Sequence, residues 1–227
     1  WSSPAQLYWD TKGHAADFYG YYPFNGNLPS VEAYAFSVEV RQDTTARGSS
    51  ISGYATSDLL WARQQNVSPT TETITMQYQH LMAGVYIHLE KGTGFTDDEW
   101  TALEKTVFLQ NTVLSGTVNL TTGAADVGEA APTTIWPLPY NGAWRAVVFP
   151  QTVAAGKPLV AVMIDGRDYL LTKDEAMTYL TGKMHQFTIT VNRSTATGDY
   201  ELKLDDESVT TWQDDPDLHE GLVRQYL

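Results

Sequence analysis

Five histidines (His14, His80, His88, His185 and His219) and three acidic runs hold most of the reactive chemistry of this chain. A zinc hydrolase sets two histidines four apart on a helix with a glutamate between them, and none of the five has that spacing; His219-Glu220 lacks the second histidine. The acidic runs are Asp97-Asp98-Glu99, Asp205-Asp206-Glu207 and Asp214-Asp215-Pro216-Asp217. Glycoside hydrolysis needs two carboxylates opposed across a cleft, one with a raised pKa. Neighbouring acids in turns and helix starts read more simply as caps and solvated corners. The last run could attract calcium, but it lacks the alternating ligands and central glycine of a calcium loop. No nucleophile elbow, phosphate-cradling glycine loop or dinucleotide fingerprint occurs. The residues predict no catalytic centre, no metal and no cofactor.

Composition narrows the classes further. At 227 residues the chain is one large β domain or two of about 100 residues each. Its apolar content, 42%, and its aromatic content, 12%, suffice for true cores. A formal charge of −13, from 27 acidic and 14 basic residues, disfavours nucleic acid and anionic membranes as partners. With no cysteine, disulfides, thiolate metal sites and cysteine nucleophiles are excluded. No apolar stretch reaches the roughly 18 residues of a membrane-spanning helix. The chain begins at Trp1 without methionine, so any targeting segment is expected outside it.

The elements that must position these residues read as strands. Ala146-Val147-Val148-Phe149 and Leu159-Val160-Ala161-Val162-Met163-Ile164 are unbroken apolar runs, the pattern of strands buried on both faces. Asp165-Gly166 and Asn141-Gly142 supply the positive φ angles of tight hairpins. Phe187, Ile189 and Val191 alternate with threonines, as do Tyr34, Phe36 and Val38 with small or polar residues, marking half-buried strands. Further strands are expected at Val107-Phe108-Leu109, at Gly116-Thr117-Val118-Asn119-Leu120 and at Tyr200-Glu201-Leu202-Lys203-Leu204, the last followed by a turn at Asp205-Asp206-Glu207. Ile74, Met76 and Tyr78 are apolar on even numbers, whereas Leu81, Ala83, Val85, Ile87 and Leu89 are apolar on odd ones. That phase change predicts a bulge or bend near His80-Leu81, or else two separate strands meeting there. Thr96-Asp97-Asp98-Glu99 and Thr172-Lys173-Asp174-Glu175 have capping-box spacing, and predict two short helices. The aperiodic residues 124–134 read as a linker.

The aromatic run Asp17-Phe18-Tyr19-Gly20-Tyr21-Tyr22-Pro23 is a strand that either packs internally or offers a flat row for sugar rings. Tyr19, Tyr21, Trp136 and Trp144 are the candidate stacking residues. The polar loop with Arg41, Arg47 and Gly48 is a candidate nicking site.

The order of these segments resembles the fimbrillin and Mfa-like fimbrial subunits of the Bacteroidetes. Phe18-Tyr19-Gly20-Tyr21-Tyr22-Pro23 is similar to their FYAYYP segment, and Asp58-Leu59-Leu60-Trp61-Ala62 to their DLLxA segment. Their F-x-H-x-L strand resembles residues 76–87, with Ala83-Gly84 in place of Ser-Lys. Phe149-Pro150-Gln151-Thr152, Ile164-Asp165-Gly166, Gly182-Lys183 with Phe187-Thr188-Ile189-Thr190-Val191, and Val209-Thr210-Thr211-Trp212 complete the set. The resemblance implies an all-β chain of two transthyretin-like β-sandwich domains in tandem. The expected division is 1–126 and 127–227, with a tail at 213–227 and an N-terminal domain that either lacks its first strands or is differently built. It further implies a non-enzymatic, exported lipoprotein precursor, a structural protein of the outer-membrane surface. Such a subunit would build, anchor or cap fimbriae (pili) through β-strand addition from other subunits and serve cell adhesion, touching the membrane only through a lipid anchor outside this chain. A glycan-binding β-sandwich module is the alternative reading, with a host or bacterial receptor or glycan as partner. The tail residues Leu218, Leu222, Val223, Tyr226 and Leu227 are expected either to act as a donor segment or to dock on the chain's own domain.

Overall fold

The computed structural model describes residues 8–24, 30–47 and 51–213. In the first half of the chain it holds β1 (Ala16–Tyr22), β2 (Tyr34–Ser37), β3 (Ala46–Arg47), β4 (Ile51–Ser52), the helix α1 (Gly53–Ser57), β5 (Leu60–Val67), β6 (Gln79–His80) and β7 (Ala83–Lys91). Then come α2 (Asp97–Ala102), β8 (Thr106–Thr112), β9 (Ser115–Asn119), β10 (Ala124–Val127), β11 (Thr133–Ile135), β12 (Leu138–Tyr140) and β13 (Ala143–Val148). The last are β14 (Gln151–Val153), β15 (Pro158–Ile164), β16 (Arg167–Thr172), β17 (Met177–Tyr179), β18 (Lys183–Arg193) and β19 (Tyr200–Thr211). The protein is all-β, as the sequence predicts, with two short helices, one of them where the sequence places it.

Two sheets enclose the larger core. One runs β12-β13-β7-β18-β19 and the other β11-β8-β15-β16. Their inward rows, Val85, Ile87, Phe187, Ile189 and Val191 against Leu109, Val160, Val162 and Ile164, are all sealed from solvent. At the centre of the five-stranded sheet β7 and β18 run parallel, and its other pairs are antiparallel. A parallel neighbour requires a long crossover, and here the crossover contains the whole opposite sheet. Both sheets therefore draw strands from either side of position 127, where the sequence reading places its domain division.

Two three-stranded sheets, β1-β5-β6 and β10-β9-β2, face each other over a smaller core. The Trp61 indole N–H donates to the Leu120 carbonyl at 2.6 Å, and the Tyr21 and Tyr34 rings meet at 5.3 Å. Residues 124–134, read as a linker, instead carry β10 and β11, each paired in its sheet.

Local signals set the turns. Asn141 and Gly142 take φ of 50° and 77°, and Asp165 and Gly166 take 51° and 73°, closing two-residue hairpins as their types demand. The Thr96 hydroxyl accepts the Glu99 N–H, and Glu99 accepts the Thr96 N–H, so α2 starts on the capping box foreseen.

Three local readings need correction. The apolar phase change near His80 is not a bulge or bend. The alternative holds, β6 and β7 being separate strands of different sheets joined through the buried Leu81 and Met82, although Ile74, Met76 and Tyr78 precede β6 outside any strand. The second expected helix is absent. Met177 and Tyr179, 3% and 1% exposed, alternate with Thr178 in β17, which pairs with β14. A helix would have put Met177 and Leu180 on one face, whereas pairing buries Tyr179 and leaves Leu180 outside. The second helix is instead α1, whose Gly53 lies where a Cβ would stand 2.3 Å from the Arg41 carbonyl oxygen. Asp205-Asp206-Glu207 does not turn the chain; β19 runs through it, absorbing one residue as a bulge opposite Thr188 and Ile189.

Candidate functional site

The acidic and histidine residues take structural posts. Glu99, capping α2, also receives the Arg193 guanidinium at 2.8 Å, and the backbone N–H of Thr96 with Arg193 holds its carboxyl down to about 2. Lys91 lowers Asp97, and Lys203 with Thr190 lowers Asp205. These shifts run opposite to what a general acid requires. Asp214, Asp215 and Asp217, and His219, lie outside the described residues. Among the described residues no group of three histidine or acidic side chains could hold a metal ion.

His80 is buried on β6, its Nδ1 2.8 Å from Asp58, and its ring lies flat on Trp212 with centroids 4.1 Å apart and planes 6° from parallel. Trp212 follows β19 directly, and its N–H donates to the Gly182 carbonyl. The end of β19 is thereby fastened to the small sandwich. Gly84 makes room for it: a Cβ there would stand 2.6 Å from Met184 Cε and 3.1 Å from Trp212 Cδ2. The Ala83-Gly84 pair noted in the sequence thus has a steric cause.

His185, also sealed, accepts the Leu180 N–H on Nε2 at 2.9 Å, so its proton sits on Nδ1. Burial lowers its pKa, partly offset by the Glu207 carboxylate. Glu207 is itself paired with Lys173, and the buried Tyr179 hydroxyl is pushed upward by burial and by the same carboxylate.

The four candidate stacking aromatics do not come together. Tyr19 and Tyr21 share one face of β1, where the Tyr19 hydroxyl meets Asp17 and Gln65, and the Tyr21 ring packs on Tyr34 and Phe24. Trp144 lies in β13 opposite Ile87 and Pro139 and packs on the larger core. Trp136, between β11 and β12, is 43% exposed. The tail residues Leu218, Leu222, Val223, Tyr226 and Leu227 lie outside the described residues. Of the nicking loop, Arg41 has an exposed side chain 3.7 Å from Asp43, Arg47 ends β3, and Gly48 lies outside the described residues.

Sheet edges remain as sites for macromolecular contact. Among the described residues β19 pairs only with β18, and β1 only with β5. The two edges differ in protection. β19 carries a bulge, Lys203, Asp205, Asp206 and Glu207, all of which discourage a further strand. β1 has one charge, Asp17, where its pairing with β5 also shifts register, and its remaining residues are half-buried.

The sequence profile of the fimbrillin-like family matches residues 1–212. Among solved structures, the chain is similar to a candidate cell adhesion protein of Bacteroides uniformis ATCC 8492, with 19% identity and a TM-score of 0.67 over 91% of this chain and 77% of that one. A second such protein, from Bacteroides ovatus ATCC 8483, gives 18%, 0.59, 88% and 70% in the same order. A third, from Bacteroides thetaiotaomicron VPI-5482, gives 17%, 0.50, 89% and 74%. Identities this low speak for the fold. No curated protein matches the chain.

Proposed function

The chain belongs to the fimbrillin-like family, and from that premise we propose that it is a non-enzymatic fimbrial subunit of the cell surface that joins its neighbours by β-strand addition along β1 and serves adhesion. Fimbrillin-like proteins are fimbrial subunits, so other subunits of the fimbria are its partners.

The observation that carries the assembly reading is the unequal protection of β1 and β19, the two longest end strands among the described sheets. An unpaired strand offers a row of N–H and C=O groups to any extended segment, and proteins suppress unwanted pairing with charges, bulges and proline. β19 has the first two along its middle, whereas the residues of β1 beyond Asp17 have none of them. An added strand would also cover the half-buried Phe18, Tyr19, Tyr21 and Tyr22.

Replacing Tyr19 by Lys puts a charge on the open edge at a half-buried side chain that is not one of the core residues. The purified variant is expected to fold with unchanged thermal midpoint and to fail to form subunit polymers by size-exclusion chromatography and electron microscopy. Val209→Lys, on the edge already guarded, is expected to polymerise normally. Hydrogen exchange of residues 16–22 should slow on assembly. Polymerisation of Tyr19→Lys at the wild-type rate would sink the assignment of β1.

A further inference from the structure

The outer face of the four-stranded sheet carries an apolar row that core packing does not explain. Register places Leu170 opposite Ala161 and Ala161 opposite Phe108, all on the side away from Val162, Leu109 and Leu171. The Trp136 ring continues the row, meeting Phe108 edge-on at 4.9 Å. The row therefore crosses β16, β15 and β8 and ends on the residue that follows β11, about 14 Å at the usual strand spacing. Its ends are open: Leu170 is 54% exposed and Trp136 43%, over a floor of Ala161 and Phe108 at 0% and 8%.

Trp136 is fixed at its backbone and packed on two sides of its ring. Its backbone N–H donates to the Val40 carbonyl at 2.8 Å and its backbone carbonyl accepts the Gln42 N–H at 3.0 Å, which fixes the main chain, while the ring itself is held between the Phe108 ring and the Arg41 guanidinium, 5.3 Å from the ring centroid. A ring fixed before binding loses little freedom on contact, which is the property of a binding anchor.

We infer that this face, with Trp136 as its anchor, is a binding platform for a neutral oligosaccharide. Three features select that occupant. β8 and β15 are paired on both sides, so the face offers side chains and no backbone for an added strand. The open parts of Trp136 and Leu170 amount to about 200 Å², far below the roughly 800 Å² per partner of a stable protein interface. Polar groups border the row on the same face: Gln110, bonded to the Thr134 hydroxyl, and Asp168, in register with Met163. A flat apolar strip with hydroxyl, amide and carboxylate groups beside it matches a sugar ring, which has one C–H face and a rim of hydroxyls. The charge of −13 weighs against sialylated or sulfated glycans. This binding does not depend on the edge at β1.

The test is a glycan array with neutral, sialylated and sulfated oligosaccharides, followed by calorimetric titration of the neutral hits, using the whole chain and the variants Trp136→Ala and Leu170→Ser. Neutral glycans should bind, Trp136→Ala should weaken them at least tenfold with an unchanged thermal midpoint, and Leu170→Ser should weaken them less. Trp136→Ala should still polymerise, which separates this test from that of the assembly edge. The inference is overturned by silence across the neutral glycans, by binding confined to anionic ones, or by binding that Trp136→Ala leaves intact. A concentration-dependent dimer abolished by Trp136→Ala would likewise overturn it, in favour of a second copy.

Discussion

Gln42 and Val147, 105 positions apart, bond as two paired strand residues would: the Val147 N–H donates to Gln42 Oε1 at 2.6 Å, and Gln42 Nε2 donates to the Val147 carbonyl at 2.7 Å. A side-chain amide here replaces a strand. β12 covers β13 as far as Arg145, and the amide satisfies the next outward-facing backbone groups. Gln151 does the same for Val113, accepting its N–H at 2.7 Å and donating to its carbonyl at 2.9 Å. The two glutamines thus join the flanking loops of the sheet β10-β9-β2 to the larger sandwich.

Gln42→Ala would leave a buried N–H and a buried carbonyl of Val147 without partners, each costing about 1–3 kcal/mol. The expected loss is about 2–6 kcal/mol in urea unfolding. Gln42→Glu should lose at least as much, because the carboxylate turns an acceptor toward the Val147 carbonyl and buries a charge. A loss under about 0.5 kcal/mol for both would mean that this pairing is dispensable.

Gly84→Ala should displace Met184 and crowd Trp212. Overpacking of this kind costs about 1–3 kcal/mol, and a shifted Trp212 emission should accompany it. The double variant with Met184→Ala is expected to recover part of the loss, since the closest obstruction is the end of a flexible side chain.

His185 predicts an acid-side loss of stability. Its folded pKa lies below the unfolded value of about 6.5, so the unfolded chain takes up the proton more readily. The contribution is complete above that value and declines as pH falls from about 6.5 toward the folded pKa. Protonating Nε2 would also remove the acceptor of the Leu180 N–H. Urea midpoints at pH 7.5 and 5.5 should differ less in His185→Gln than in the native protein, and an equal difference would exclude His185 as the cause.

Thr96→Ala removes one half of the capping box and should cost about 1 kcal/mol. The Glu99 carboxyl, held at about 2, should move upward on titration by NMR, because the start of α2 loosens around it. The Arg193 contact should limit that movement.

Much of the local structure was legible. Asn141-Gly142, Asp165-Gly166 and the Thr96 capping box act through their own torsions and nearest neighbours, so reading them needs no distant partner. The alternation of Phe187, Ile189 and Val191 likewise showed which side of β18 is buried. Thr172-Lys173-Asp174-Glu175 has the same capping pattern yet forms no helix, because Lys173 accepts the Gly156 N–H on its carbonyl and β17 finds β14. The spacing is identical and the outcome opposite. Of the four stacking aromatics, the sequence listed Trp136 beside three others of equal apparent merit. Their difference lies in what covers them, which no local pattern records.

The sequence by itself therefore determined an all-β chain, where nine of the nineteen strands among the described residues lie, two tight hairpins and one capped helix, since each depends on interactions within a few residues. Tertiary structure alone decided that β7 lies beside β18, that Gln42 acts as a piece of strand for Val147, and that Leu170, Ala161, Phe108 and Trp136 line up across one sheet face. The physical reason is that pairing and facing are properties of two surfaces meeting. Each segment carries only its own half of that contact, and the fold selects the other half from everything else in the chain.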